Sequence, residues 1–115
     1  MPRDAYLVTS DPITLPDIIR AGAQRYPDYT ARLLEEGVAT QIVDPDYRAV
    51  LTVLQGRSLL DGDEVARLVP RAPAQAGPVW LTQAFVPWSN AEAGLAILSD
   101  LAVASSAVLI VEDAS

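Results

Sequence analysis

The chain has no cysteine, no histidine and no lysine. Without cysteine there is no disulfide framework, no thiol nucleophile and no zinc knuckle. Without histidine the usual base near neutral pH and the commonest transition-metal ligand are both missing, and Ser-His-Asp or Cys-His catalysis is excluded. Without lysine, all eight cations are arginine. Arginine alone, alongside abundant alanine, proline, valine and leucine, is a composition typical of high-GC bacterial genomes. Neither "DGDE" nor "AQAGP" matches a glycine-rich nucleotide fingerprint. The N-terminal "MPRDAYLVTSD" holds no apolar run of signal-peptide length, and "LAVASSAVLIV" is too short and too broken by serine to span a bilayer. The expectation is a soluble, cytoplasmic protein.

What is present points to one domain, residues 1–115. Half of the 115 residues are apolar, enough to bury a core without staples and too many for disorder. The net charge of −7 argues against binding nucleic acid, whose phosphates need a basic footprint. It disfavours an anionic membrane surface for the same reason. An acidic surface suits a basic protein partner; it also keeps a small protein in solution.

The first strand is read at "AYLVTS" (5–10). In "TLPDIIRAGAQRY", Leu15, Ile18, Ile19, Gly22, Ala23 and Tyr26 fall on one helical face, with Thr14 and Asp17 at capping-box spacing. "PDYTARLLEEG" is read as a second helix closed by Gly37. Strands at about 38–43 and 48–54 flank the turn-forming "DPDY" as a hairpin. In "LLDGDEVARLVP", Asp61 and Glu64 have capping-box spacing, and Asp63 and Glu64 suit the positive end of a helix. A calcium loop would need an oxygen ligand at its fifth position and a glutamate at its twelfth. Val65 and Ala72 stand there, so no metal is expected.

"VWLTQAFVP" (79–87) is a strand. Ser89 and Glu92 cap a helix, "NAEAGLAILSDLAVAS", that is apolar nearly all round, so it is either deeply buried or covered by a partner. "AVLIVED" closes the chain as a two-sided strand. The expected fold is α/β, one mixed sheet of about five strands with three to four packed helices, ending in a β-α-β unit whose crossover joins parallel strands.

Two places merit a functional reading. Thr9 and Ser10 follow the first strand, and Trp88, Ser89 and Asn90 follow the fourth. Ligands gather beyond the carboxyl ends of strands in α/β sheets, so these five could line a small pocket; the simpler and favoured reading is helix capping, with Trp88 covering the sheet end. The second place is the hairpin tip, Asp44, Asp46, Tyr47 and Arg48. Tyrosine and arginine anchor interfaces, and acids around them would recognise a basic partner. The remaining carboxylate pairs sit beside turns and helix ends, where nothing raises a pKa for acid catalysis. No enzymatic activity and no cofactor are expected.

The layout "PVWLTQAFVPWSNAEAGLAILSDLA…VLIVED", after "DPITLPDIIRAGAQRYPDY", resembles small acidic immunity-type proteins of bacterial polymorphic toxin systems. That resemblance implies a protein that binds a cognate toxin domain and blocks its active site. It carries over no functional residue, because such families share no fixed site. The expected function is therefore a non-catalytic protein-binding module that inhibits a basic toxin or effector. Two alternatives stay open: an assembly or chaperone module forming a homodimer through its last helix, and a small-ligand domain using the strand-end pocket.

Overall fold

The structure, a computed structural model, describes residues 3–60, 63–69, 78–87 and 91–112. The chain runs β1 (Arg3–Thr9), α1 (Leu15–Arg25), β2 (Thr30–Leu34), a 3-10 turn at Glu35–Gly37, β3 (Ala39–Val43) and β4 (Ala49–Leu54). It continues through β5 (Arg57–Leu59), α2 (Asp63–Leu68), β6 (Val79–Val86), α3 (Ala91–Ser105) and β7 (Val108–Glu112).

α1 starts as its sequence predicts. The Thr14 hydroxyl accepts from the Asp17 amide, and the Thr14 amide donates to Oδ2 of Asp17. Its buried stripe is Ile18, Ala21 and Gly22, rotated from the expected one, so that Ile19 points to solvent. The β3–β4 hairpin also stands where "DPDY" placed it. α2 begins at Asp63; the cap assigned to Asp61 lies outside the described residues, as does that assigned to Ser89.

The expected sheet of about five strands with three to four helices is overturned. Among the described residues seven strands form one sheet, every pairing is antiparallel, and only two long helices, α1 and α3, pack on it. Two segments account for the difference. Residues 30–34 were expected to continue a helix, and their Leu, Arg and Ala favour one. They instead pair with Ala39–Val43 as β2, because Pro27 ends the helix and a waiting edge supplies the backbone partners. β5 is a three-residue strand that extends the line of β4 along β6.

The strand order is β2-β3-β4-β6-β1-β7. β6 and β7 are both antiparallel to β1, which lies between them. They therefore share a direction, as the β-α-β reading required, but they are not neighbours. The end of the chain is a split β-α-β arrangement, and the sheet is not mixed.

Alternation along β1 sorts the two faces. Ala5 and Leu7 belong to the core beneath α1 and α3, with Ile42, Val50, Leu51, Val53, Ile97, Leu98 and Leu101. Tyr6 and Val8 belong to a smaller core on the opposite face, closed by Leu59 of β5, by Val65 of α2 and by Val69 just after it. Beyond that cover the second face is open. A row of register partners crosses it: Arg32, Gln41, Thr52, Phe85, Asp4 and Glu112. Arg32 Nε donates to Gln41 at 2.7 Å, and Gln41 Nε2 donates to Thr52 at 3.2 Å.

α3 owes its apolar character to burial on two sides. Ala93, Gly94, Ile97, Leu98, Leu101 and Ala102 are enclosed by the sheet and α1. The approach is closest at Gly94, where a Cβ would overlap the carbonyl oxygen of Val50 and touch Cγ1 of Val86 at 3.0 Å. Among the described residues no helix is long and apolar enough to cross a membrane. Gly94→Ala is expected to cost about 3 kcal/mol by forcing α3 off β4. Chemical denaturation checks this, and an unchanged midpoint would show that the helix does not need this seat.

Candidate functional site

The β3–β4 tip is built on Asp44. Its Oδ1 accepts from the amides of Asp46 and Arg48, both at 2.9 Å. Its amide donates to the Arg48 carbonyl, and its carbonyl accepts from the Tyr47 amide, again at 2.9 Å. The tip is thus a β-turn over Asp44–Tyr47 with Pro45 at its second position, where the ring's fixed φ belongs. A carboxylate expected to steer a partner is instead engaged in holding the loop. Asp46 and Arg48 are exposed and their side chains make no such local bond.

Tyr47 completes the loop at φ +64, a conformation in which an L side chain crowds its own backbone. Its ring is 85% exposed. Three other described non-glycine residues share a positive φ: Glu35 and Glu36, which turn β2 into β3, and Ser106, which ends α3. Tyr47 alone among the four holds a large ring in solvent.

A second turn of the same design lies beside it. Tyr26–Tyr29 closes with Tyr29 donating its amide to the Tyr26 carbonyl at 3.0 Å, again with proline second. The two turns read Tyr-Pro-Asp-Tyr and Asp-Pro-Asp-Tyr. β2 pairs with β3 through Thr30 and Val43, which sets Tyr29 next to Asp44. The rings of Tyr26 and Tyr29 stack at 4.4 Å, 11° from parallel. Partial burial, then Tyr26 and the charges of Asp44 and Asp28, hold the Tyr29 phenol above its ordinary pKa of 10.0. The corner therefore carries three tyrosines with Asp28, Asp44 and Asp46. The hairpin half was legible from sequence. Tyr26, Asp28 and Tyr29 were missed, and the repeated Pro-Asp-Tyr was the signal that marked them.

The expected strand-end pocket falls largely outside the described residues, and the two strands it was drawn from run in opposite directions. In the antiparallel pairing of β1 with β6, Thr9 stands beside Trp80 while Val86 stands beside Arg3. The carboxyl ends of the two strands point to opposite margins of the sheet, about 20 Å apart at strand rise. Trp88, Ser89 and Asn90 lie outside the described residues. Thr9 is buried, and its hydroxyl donates to the Asp11 carbonyl at 2.6 Å.

Ser10 lines a different space, a cleft of about 510 Å³ between α1 and α3 that also meets Asp11, Asp17, Arg20, Asp100 and Ser105. Two of its acids are already committed. Asp17 is bound by the backbone and hydroxyl of Thr14, and Asp100 takes a two-pronged contact from Arg25, both bonds at 2.8 Å. Among the described residues no three acids come together to hold a metal.

Two predictions follow from these bonds. Asp44→Ala should cost about 1–2 kcal/mol for two lost amide contacts, whereas Asp46→Asn should leave stability within about 0.5 kcal/mol; paired unfolding curves compare them. The contacts from Thr14 and Arg25 hold Asp17 and Asp100 below the ordinary 3.8. The unfolded chain therefore takes up protons first as pH falls, so the stability these groups contribute is complete above about pH 5 and drains away below about pH 4. Melting curves in acid should show that decline, and Asp17→Asn should make it shallower. No protein-family model matches the sequence, and neither a curated protein nor a solved structure matches it, so the function of the corner is argued from its geometry.

Proposed function

We propose that this protein is a non-catalytic, cytoplasmic binding module of the immunity type, which blocks a basic toxin or effector domain by presenting the acidic tyrosine corner to it. The observation that carries this reading is Tyr47. The tip needs a residue with positive φ, and glycine would fill that place without strain. A tyrosine costs about 1 kcal/mol or more there and recovers nothing from burial, since its ring stands in solvent. Such a residue is explained by what it meets on a partner. Tyrosine gives large contact area for few rotatable bonds, as central anchors do. Asp46 beside it, and Asp28 on the neighbouring turn, supply a field that draws a basic surface and sets the salt dependence of association.

The homodimer alternative loses its motive, because the apolar helix that suggested it is occupied by the sheet and α1. Tyr47 and the corner also remain accessible in a single copy.

Tyr47→Gly is expected to raise stability by about 1 kcal/mol while weakening the complex by about 2 kcal/mol or more, mostly through faster dissociation. Affinity capture from the native host with both forms tests this. Recovery of a basic toxin domain by the wild type and not by the variant supports the reading. Equal recovery by both rejects the corner, and failure to recover any basic partner rejects the inhibitor reading.

A further inference from the structure

β7 closes one margin of the sheet and, among the described residues, pairs with β1 alone. One side of its backbone is therefore left without ladder partners. Folded proteins normally guard such an edge with charge, proline or a bulge. β2, at the other margin, is guarded: Pro27 lies just before it, Arg32 sits at its centre, and the positive-φ pair Glu35 and Glu36 ends it. β7 has less among the described residues: the positive-φ Ser106 stands two residues before it, and its only charge is at its last residue, Glu112. Val108, Leu109, Ile110 and Val111 form an unbroken run of strand-favouring apolar residues, in register with β1 without a shift.

Glu112 is the one charge of this strand, and it stands directly opposite Asp4 on β1. Like charges in that position repel, and neither makes an ion pair among the described residues. Burial, then Glu112 and Asp4, hold the Tyr6 phenol above its ordinary pKa. Phe85 flanks Asp4 on the other side. The row crossing the open face thus ends Phe85, Asp4, Glu112, and its next place would lie on a strand added outside β7.

We propose that the outer edge of β7 pairs with an extended segment of a partner protein, which adds a strand to the sheet and sets an arginine or lysine beside Glu112. Backbone pairing of this kind supplies affinity, and the side chains alternate to supply selectivity. A second copy of this chain fits less well: antiparallel self-pairing about Ile110 would set Glu112 against Val108, leaving the carboxylates without a cation and joining two bodies of charge −7. The proposal is independent of Tyr47. The tip lies at the β3–β4 end of the sheet and β7 at the far margin, with β6 and β1 between them.

The probes are two blocked hexapeptides, Arg-Val-Thr-Val-Arg-Val and Glu-Val-Thr-Val-Glu-Val, titrated into the 15N-labelled full chain. The arginine peptide is expected to shift the amides of β7 and β1 and to slow hydrogen exchange along residues 108–112, while the glutamate peptide leaves them unchanged. Asp4→Asn with Glu112→Gln should weaken arginine-peptide binding about tenfold or more and should raise the melting temperature by removing the repulsion. No shift at millimolar arginine peptide overturns the proposal, as do shifts confined to β2 or equal binding of both peptides. A solution mass of two chains with β7 amides protected before any peptide is added also overturns it, since the edge then belongs to a second copy. Tyr47→Gly should leave this titration unchanged, which separates the fate of this proposal from that of the corner.

Discussion

The contact between Gly94 of α3 and the backbone of β4 at Val50 governs the layout of this fold. A helix can lie this close to a strand only where it has no side chain, and the closeness lets α3 pass from β6 to β7 over β1. β1 is then held on both edges by antiparallel partners and on both faces by apolar cover. Once that crossing is made, α1 fills the rest of the same face and is tied to α3 by Arg25 and Asp100. One face of the sheet is used up by folding.

That arrangement leaves the margins of the sheet as its least occupied surfaces. The helical face has no free apolar stripe, and half of the opposite face is closed by β5 and α2. What remains is the turn corner beside β2 and β3, the polar row across the open face, and the edge of β7. In the cleft between α1 and α3, two of the carboxylates are bound to Thr14 and Arg25 as part of the fold.

Local signals in the sequence were read well and pairing signals were not. The Thr14–Asp17 box, the hairpin around "DPDY" and the apolar character of α3 and β7 are all consequences of residues close together in the chain. "TARLLEEG" misled because its residues favour a helix in isolation, and a strand forms only because β3 stands ready to pair with it. The direction of β7 relative to β6 was legible, but the insertion of β1 between them was not, since nothing in 108–112 records which strand lies beside it. The strand-end pocket was drawn on a parallel arrangement, in which strand ends gather ligands at one end of a sheet, whereas β1 and β6 are antiparallel. At the hairpin the types were legible and the roles were not. Asp44 looked like Asp46 in sequence, and only the geometry shows that one holds the turn while the other faces solvent.

Net charge is an average, and the roles of individual carboxylates divide it. Asp17 caps α1, Asp44 ties the tip and Asp100 braces α3 against α1, so these three answer to stability. Asp28 and Asp46 lie beside stacked or strained tyrosines, and Asp4 and Glu112 face each other across an unguarded edge. The side chains of those four form no hydrogen bond or ion pair among the described residues, and the last two are like charges set directly opposite each other. A fold under selection for stability alone would have neutralised the Asp4–Glu112 pair and put glycine at Tyr47. Unspent acids and uncompensated strain meet at two separate rims of one sheet. Marginally stable domains tolerate only a few such costs, and here they lie at the rims of the sheet rather than on the helical face or in the cleft, which is the support for the proposed recognition of basic surfaces there.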